Sequence, residues 1–493
     1  MSRFPLTRHL AIIATAAASC SMIFAGAAAS QAAAHRPASP ALGHWTELGL
    51  SQSSPPELWL GPDNRGWVVW SKATTQLSTG GYNLAIMSAT GKVGKPSAII
   101  KGWSGVSFQP TLVPNGKSPL LIFSGQKGSS GGLAAGCVVG AKPASPQWAV
   151  QSWSLSSNCV FSNVGYGDAT ENKSGQLAAG WAGGSGAEYR IGISPTIPAT
   201  GKDKQITLTL SHAGSVALAN NTSGNGDDYL AFYRFFSKNA SKDGVYVKDL
   251  TTDGTLLRAP HSGTQSVGWS PAAGQRASIA SPNAHGGGIY VAYCTDKANC
   301  PTYLLWKAGA KKAITVPGTK VAVGLAMSAG PDGRLWLAWY NEQQNRVLVM
   351  RTNKADNRFG PAHSFPVPCF QDGNTHLALT SGNDGRLDVG LECLSVKQTK
   401  PTIFVTQSEA TLSISANHGK ITNTHANKVT FTVTDAGDPI SGAKVKVAGK
   451  TVTTGKNGKV TVTFAKGAKP GTDTAVASAA SYFNGTTTIK VSS

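Results

Sequence analysis

Acidic residues are scarce in this sequence, and long apolar segments are almost absent. Only 24 of the 493 residues are Asp or Glu, against 44 Lys and Arg, and charged residues make up 14% of the chain. After residue 34 no apolar run is long enough to span a membrane as a helix. Long helical periodicity is also missing, whereas Gly, Ser and Thr are frequent throughout. This composition predicts an all-β protein with many short strands joined by turns.

The first 34 residues differ from the rest and have the features of a secretory signal peptide. Arg3 and Arg8 provide a basic start, residues 10–29 are apolar and rich in Ala, and residues 29–35 (ASQAAAH) offer small side chains for cleavage. An uncleaved N-terminal anchor is the alternative, although so many alanines make a weak membrane span. We therefore expect a secreted protein, extracellular or associated with the cell envelope, with no membrane span in the mature chain.

Metal motifs built on cysteine or histidine are missing as well. Six cysteines remain beyond Cys20 of the signal peptide, with no C-x-x-C pair and no Cys/His cluster, so neither a metal nor another cofactor is expected. An even number of cysteines in an exported chain predicts disulfides. We expect neighbours to pair, because each bond then closes a loop within or between adjacent repeats. The predicted pairs are Cys137 with Cys159, Cys294 with Cys300, and Cys369 with Cys393.

The formal charge of +20 favours acidic partners over basic ones. Anionic cell-wall polymers, acidic glycans and lipid headgroups all satisfy that requirement, and a basic secreted protein without such a partner is the alternative. Nucleic acid is not expected, because the lysines are scattered and no binding motif interleaves them with aromatic residues.

A turn followed by a short apolar strand recurs along the chain. The clearest copies are residues 60–70 (LGPDNRGWVVW), 330–342 (GPDGRLWLAWYNE) and 381–391 (SGNDGRLDVGL). Weaker copies occupy residues 112–123, 169–181, 220–233 and 280–293. A period of roughly fifty residues with several strands per unit is typical of a β-propeller. The strand of the 330–342 copy is apolar on both faces, as expected for a strand packed between neighbouring sheets.

Seven copies predict a seven-bladed β-propeller over residues 35–408. The last repeat lacks a fourth strand, and residues 44–50 (HWTELGL) precede the first copy and are able to supply it. The N-terminus is therefore expected to close the ring, which removes two exposed sheet edges.

The composition changes near residue 409, where Trp and Cys disappear and Thr, Val and Lys become frequent. Clean alternation, as in residues 427–435 (NKVTFTVTD), and a length of about 85 residues predict a small β-sandwich over 409–493. Residues 438–464 resemble bacterial immunoglobulin-like domains of exported proteins, through Pro439, Gly442, Ala443, Val445, Thr454, Asn457, Gly458 and Val460. The resemblance implies an immunoglobulin-like β-sandwich that serves as a spacer or adhesion module.

The repeated turn and strand also resemble those of secreted bacterial propellers, including sialidase-like ones. The sequence departs from sialidases at two points. Residues 328–336 do not have the spacing of their Asp box, and Arg276 alone stands where their arginine triad is expected.

Propeller geometry predicts where a ligand would bind. The ligand face comprises the loops that lead into the innermost strands and the loops that join the second strand to the third. The first set of loops predicts Glu57, Gln109, Asp168, Arg276 and His376 as ligand-binding residues. The second set adds Lys72, Arg234, Asn341 and Glu342.

This mixture of polar side chains is suited to hydrogen bonding with a glycan. The sequence therefore favours an exported, monomeric, non-catalytic protein that binds a glycan or cell-surface polymer through the axial face of the propeller. One alternative is a glycoside hydrolase that uses Glu57, Asp168 and Glu342 near the axis, because hydrolysis of glycosidic bonds commonly needs two carboxyl groups. A structural envelope protein is the other alternative.

Overall fold

The computed structural model describes most of the chain after residue 41. The described residues are 42–51, 55–72, 81–100, 103–104, 110–127, 137–145, 147–154, 164–171, 177–185, 188–194, 204–209, 212–221, 224–235, 239–252, 254–266, 278–282, 287–297, 300–369, 376–382, 385–394 and 400–493. They belong to one compact unit that spans Ser39–Ser493. Among them no helix is long and apolar enough to cross a membrane.

Nearly all regular structure in these residues is β-strand. A single 3-10 turn, Ala240–Lys242, is the exception among the described residues. The sequence prediction of an all-β protein is confirmed.

Among the described residues of 46–408, seven antiparallel sheets follow one another. The first strand of the chain, β1 (Thr46–Leu50), belongs to the seventh sheet. Sheet 1 contains β2 (Glu57–Leu60), β3 (Gly66–Ser71), β4 (Tyr82–Met87) and β5 (Ser97–Ile100); sheet 2 contains β6 (Trp103–Ser104), β7 (Thr111–Val113), β8 (Leu120–Lys127), β9 (Cys137–Lys142) and β10 (Ala149–Ser154); sheet 3 contains β11 (Val164–Glu171), β12 (Leu177–Ser185), β13 (Glu188–Ser194) and β14 (Lys204–Thr209).

The next four sheets repeat this order. Sheet 4 contains β15 (His212–Asn220), β16 (Asp228–Phe235), β17 (Gly244–Asp249) and β18 (Leu257–Arg258); sheet 5 contains β19 (Ser278–Ala280), β20 (Tyr290–Cys294), β21 (Tyr303–Lys307) and β22 (Ile314–Thr315); sheet 6 contains β23 (Ala322–Ala329), β24 (Leu335–Asn341), β25 (Arg346–Arg351) and β26 (His363–Pro366); sheet 7 contains β27 (His376–Ser381), β28 (Leu387–Leu394), β29 (Pro401–Ser408) and β1.

The sheets form a closed ring through one inner strand each. Strands β2, β7, β11, β15, β19, β23 and β27 contact one another in that order, and β27 contacts β2. An arrangement of small sheets around a common axis is that of a β-propeller, so the structure has a β-propeller-like fold.

The repeated turn of the sequence has one hydrogen-bond pattern in its three clearest copies. The N–H of the first glycine donates to the arginine carbonyl four residues later in 61–65, 330–334 and 382–386, with N to O distances of 2.9, 2.7 and 2.9 Å. The fourth residue of each copy, Asn64, Gly333 or Gly385, has φ of 57°, 79° or 76°. This left-handed conformation explains why Asn or Gly occupies the position.

Strand β24 shows why its sequence is apolar on both faces. All seven of its residues are buried. Trp336, Ala338 and Tyr340 pack into a cluster shared with sheet 7. Leu337 and Trp339 pack into a cluster shared with sheet 5. The strand is thus enclosed by two neighbouring sheets, as the sequence predicted.

The N-terminal strand closes the seventh sheet. Strand β1 pairs antiparallel with β29, and Thr46 lies opposite Val405. Leu48 is buried in a cluster with Ile403 and Val405 of β29. The expectation that residues 44–50 supply the missing outer strand is confirmed for residues 46–50.

Two of the three predicted disulfides are present. Cys294 pairs with Cys300 across the β20–β21 hairpin, and Cys369 pairs with Cys393, which joins the end of sheet 6 to sheet 7. Cys159 lies outside the described residues, so its predicted bond to Cys137 stays a prediction.

The tail, residues 409–493, forms a small body with two main sheets. One contains β31 (Ser413–Ala416), β33 (Asn427–Asp435), β34 (Asp438–Pro439) and β37 (Lys459–Phe464); the other contains, in spatial order, β32 (Lys420–Thr422), β40 (Gly485–Ser492), β38 (Gly471–Ser478), β35 (Lys444–Val447) and β36 (Lys450–Thr453). A short parallel pair, β30 (Ala410–Thr411) with β39 (Tyr482–Phe483), completes the tail. The core between the sheets includes Val429, Phe431, Val445 and Ile489, so each sheet buries one face.

A buried network of charges joins the tail to sheet 6. Asp435 of the tail, 1% exposed, forms ion pairs with Arg351 Nη2 and, at 3.5 Å, with Arg334 Nε. Arg334 Nη2 also lies 2.6 Å from Asp438 Oδ2, and the Tyr482 hydroxyl donates to Asp435. These ion pairs connect the tail to sheet 6.

Candidate functional site

A cavity of about 220 Å³ lies where the inner strands of all seven sheets converge. Its lining residues are Pro55, Pro56, Glu57, Thr111, Leu112, Asp168, Ala169, Ala217, Leu218, Ser278, Ile279, Leu325, Ala326, Met327, His376, Leu377, Ala378 and Leu379. Since every sheet contributes at least one of them, the cavity lies on the axis of the ring. We call it the axial cavity.

Four of the five polar residues that line the axial cavity share a position in their strands. Glu57, Thr111, Ser278 and His376 are each the first residue of an inner strand. In a strand, successive side chains point to opposite faces and the chain advances by about 3.3 Å per residue. Residues at equivalent positions around the ring therefore lie at a similar height, which concentrates polar groups at one level.

Asp168 belongs to that level and connects three sheets. Its Oδ1 accepts hydrogen bonds from Thr111 Oγ1 at 3.1 Å and from the Ala169 N–H at 2.9 Å. Its Oδ2 accepts from the Leu218 N–H at 2.8 Å. Both carboxylate oxygens are therefore used to hold sheets 2, 3 and 4 together.

His376 carries the imidazole of the cavity and is backed by a carboxylate. Its Nδ1 lies 2.7 Å from Oε2 of Glu392, whose side chain is fully buried on the neighbouring strand β28. A carboxylate that bonds one ring nitrogen fixes the orientation of the imidazole and the role of the other nitrogen. His376 thus presents a pre-oriented polar group to the axis.

Four further predicted residues that the structure describes do not line the cavity. Asn341 is buried at the end of β24, where its Oδ1 accepts from the Gln344 N–H at 3.0 Å. Glu342 and Lys72 are exposed, and Arg234 is half-buried near the end of β16. Gln109 and Arg276 lie outside the described residues.

Sequence reasoning missed three polar contributors to the site. Thr111 and Ser278 line the cavity, and Glu392 orients His376. The first two begin inner strands, as do Glu57 and His376, so strand position was a usable signal. Glu392 had no such signal, because its importance depends on the pairing of β27 with β28.

The cavity is lined by both hydrogen-bonding and apolar residues. Ser278 Oγ donates to the Leu325 carbonyl of the next sheet, so this hydroxyl also takes part in joining the ring. Leu112, Ile279, Met327 and Leu377 supply apolar surface in the same cavity. A cavity of this kind is able to bind a small polar group that also has an apolar face.

Metal binding finds no support in the described residues. No group of three or more His, Cys, Asp and Glu side chains is placed there to hold an ion. The Asp227 carbonyl closes a turn by accepting from the Asn221 N–H at 2.9 Å.

No protein-family model matches the chain, and no curated protein matches it. Among solved structures it is similar to the polysaccharide lyase Uly1, with 12% identity and a TM-score of 0.45 over 72% of this chain and 90% of that one. It is also similar to the NanB sialidase of Streptococcus pneumoniae, with 9% identity and a TM-score of 0.36 over 74% and 70% of the two chains. A third similar structure is the β-propeller domain of the trilobed protease of Pyrococcus furiosus, with 9% identity and a TM-score of 0.39 over 73% of this chain and 96% of that one. Similarities this distant assign no activity to the chain.

Proposed function

We propose that this protein is exported and binds a glycan or cell-surface polymer, without catalysis, through the axial cavity. In this proposal residues 1–34 are a signal peptide, residues 35–408 are a seven-bladed β-propeller and residues 409–493 are an immunoglobulin-like β-sandwich. The observation that carries the proposal is the axial cavity, because it collects Glu57, Thr111, Asp168, Ser278 and His376 from five different sheets.

Hydrogen-bonding chemistry supports a carbohydrate ligand. Carboxylate, hydroxyl and imidazole groups are suited to the hydroxyls of a sugar, and Leu112, Ile279 and Leu377 are suited to the apolar face of its ring. A volume of about 220 Å³ favours one residue or a chain end of a polymer over a long internal segment.

Binding is favoured over hydrolysis by the placement of the carboxylates. Glu342 is exposed and is not among the described residues that line the cavity, which leaves Glu57 and Asp168. Asp168 already accepts three hydrogen bonds that join sheets. A general acid or nucleophile must exchange protons or bonds with the substrate, and this commitment of Asp168 opposes such a role.

Export is supported by the two disulfides. Cys294–Cys300 and Cys369–Cys393 are bonded pairs, and such bonds persist mainly in oxidising compartments. The basic start and Ala-rich segment of residues 1–29 agree with that location.

A glycan array probed with the protein from residue 35 onward tests the proposal. We expect a restricted set of glycans to bind, and Glu57→Gln to weaken that binding by about tenfold, because a cavity carboxylate that accepts sugar hydroxyls is lost. Glu342→Gln is the matched control and is expected to leave the affinity unchanged.

Reducing-sugar release from the same glycans is measured in parallel. Release that depends on Glu57 would replace the binding proposal by the hydrolase alternative. Equal effects of the two substitutions on affinity would place the ligand away from the axial cavity.

A further inference from the structure

The outward face of the five-stranded tail sheet is basic and carries no acid. Lys444 and Lys446 of β35 are exposed, while the valines between and after them are buried. Lys490 of β40 and Lys420 of β32 are likewise exposed and lie directly opposite each other. Most of the other outward positions are hydroxyl residues: Thr422, Thr451, Thr453, Thr472, Thr474, Thr486, Thr488, Ser478 and Ser492.

The way the tail docks increases its basic character. The tail holds ten lysines, all exposed, and only four acids. Asp435 and Asp438 are turned toward Arg334 and Arg351 of the ring. These two acids therefore neutralise arginines of the ring instead of lysines of the tail.

Strand register places the four lysines along a diagonal of the sheet. Lys446 lies opposite Val476 of β38, and Lys490 lies opposite Thr472 of the same strand. With a rise of about 3.3 Å per residue and a strand spacing of about 4.8 Å, Lys446 and Lys490 are about 16 Å apart. Two pairs of positive charges at this separation match an extended ligand with repeated negative charges better than a single small anion.

This arrangement creates electrostatic repulsion within the sheet. Like charges directly opposite each other on neighbouring strands destabilise a sheet, and Lys420 and Lys490 are such a pair. None of the four lysines forms a salt bridge with another described residue. A bound polyanion would remove this repulsion.

We propose that this face, defined by Lys420, Lys444, Lys446 and Lys490, is a docking surface for an acidic polysaccharide. The ammonium groups pair with carboxylates of the polymer, and the threonine hydroxyls between them hydrogen-bond to its sugar hydroxyls. The surface is separate from the axial cavity and does not depend on the function proposed for that cavity.

A membrane is a poorer match for the same face. Peripheral attachment to lipid combines basic residues with inserted Trp, Phe or Leu side chains, whereas Val476 is the one apolar residue at the outward positions of these strands, all of which the structure describes. Single-stranded nucleic acid is bound with the help of stacked aromatic residues, and this face has none.

Binding of the full chain to immobilised polygalacturonate tests the proposal, with neutral dextran as the reference polymer. Lys444→Gln combined with Lys446→Gln is expected to weaken binding by about tenfold, because two desolvated charge contacts are lost. Lys428→Gln combined with Lys459→Gln removes the same charge from the opposite sheet and is expected to change binding by less than about twofold. All four side chains are exposed, so the melting temperatures should agree.

Three results would overturn the proposal. They are no binding to polygalacturonate, equal losses in the two charge-matched variants, and tighter binding to phosphatidylglycerol vesicles or duplex DNA than to the polysaccharide. Glu57→Gln is expected to retain polygalacturonate binding at the tail, which separates a failure of this surface from a failure of the axial site.

Discussion

Asp168 is a cavity residue whose hydrogen bonds are mainly structural. It accepts from Thr111 of sheet 2 and from the Leu218 N–H of sheet 4, and it is 8% exposed. A carboxylate can accept several hydrogen bonds at once, and this one does so at the point where three inner strands meet. These hydrogen bonds therefore fix the position of the Asp168 carboxylate.

We predict that Asp168→Ala lowers the free energy of unfolding by about 3 kcal/mol, because buried donors lose a charged acceptor. Thermal denaturation measures the change, and Asp63→Ala, an exposed turn acid paired with Arg65, is the control with little expected effect. An unchanged melting temperature for Asp168→Ala would show that the carboxylate does not join the sheets.

His363 of β26 links the stability of the protein to pH, because its pKa is shifted in the folded state. Its ring stacks on Phe483 of the tail at 3.8 Å. Burial, and secondarily the charge of Arg346, lowers the pKa of His363 from its ordinary 6.5 to about 4. The unfolded chain therefore binds a proton at a higher pH than the folded protein does.

The stability contributed by neutral His363 is complete above about pH 6.5 and is lost as the pH falls toward 4. Asp356 acts in the opposite direction over a similar range, because burial raises its pKa to about 6. We predict that the melting temperature of His363→Phe rises relative to that of the wild type as the pH falls from about 6.5 to 4. Asp356 is common to both proteins and cancels in the difference, so parallel profiles would contradict the prediction.

At the level of elements, the two disulfides close loops of different length. Cys369 and Cys393 are separated by 24 positions, and Cys294 and Cys300 by 6. The longer bond also links sheet 6 to sheet 7, whereas the shorter one stays within a hairpin of sheet 5.

Chain entropy predicts that removing the disulfide with the longer loop lowers the free energy of unfolding more. Replacing Cys369 and Cys393 by Ser is expected to lower stability by about 3.5 kcal/mol, and replacing Cys294 and Cys300 by about 2.4 kcal/mol. Denaturant melts of the two double variants provide the comparison. The reverse order would mean that native packing, and not loop length, decides their contributions.

The elements that could be predicted from the sequence are those with local signals. Asn64, Gly333 and Gly385 mark turns whose φ angles are positive, and the spacing of those turns indicates a ring. The pairing of β1 with β29 was predictable because the last repeat was one strand short.

Interactions between distant segments could not be predicted in the same way. Arg334 and Arg386 occupy the same place in two copies of the turn, yet Arg334 binds Asp438 of the tail and Arg386 donates to the Asn64 carbonyl of sheet 1. The same residue type in the same local sequence thus has different partners, which only the arrangement of the sheets decides. Asp168 is similar, since its position near the axis was predicted but its three donors were not.

For the whole molecule, a charge network links the ring to the tail. Asp435 is 1% exposed and lies between Arg334 and Arg351, so its removal leaves two buried guanidinium groups with one acid fewer. Removing one partner of a buried ion pair lowers stability more than replacing both partners by apolar residues, because the remaining charge stays buried without compensation.

We predict that Asp435→Ala destabilises the protein by about 3–5 kcal/mol and releases the tail from the ring. Small-angle scattering should show a larger radius of gyration, and calorimetry should resolve a separate transition for the tail. Asp473→Ala, a half-buried acid of the same tail outside this network, is the control. An unchanged radius with a single transition would show that apolar contacts alone hold the tail.

The pairing of β1 with β29 has a consequence for the order of folding. Thr46 is made early in synthesis and meets Val405 only after nearly the whole ring has been synthesised. Sheet 7 therefore stays incomplete while the chain grows, because β1 can pair only after β29 has been synthesised. The ring therefore cannot close through β1 before that strand is made.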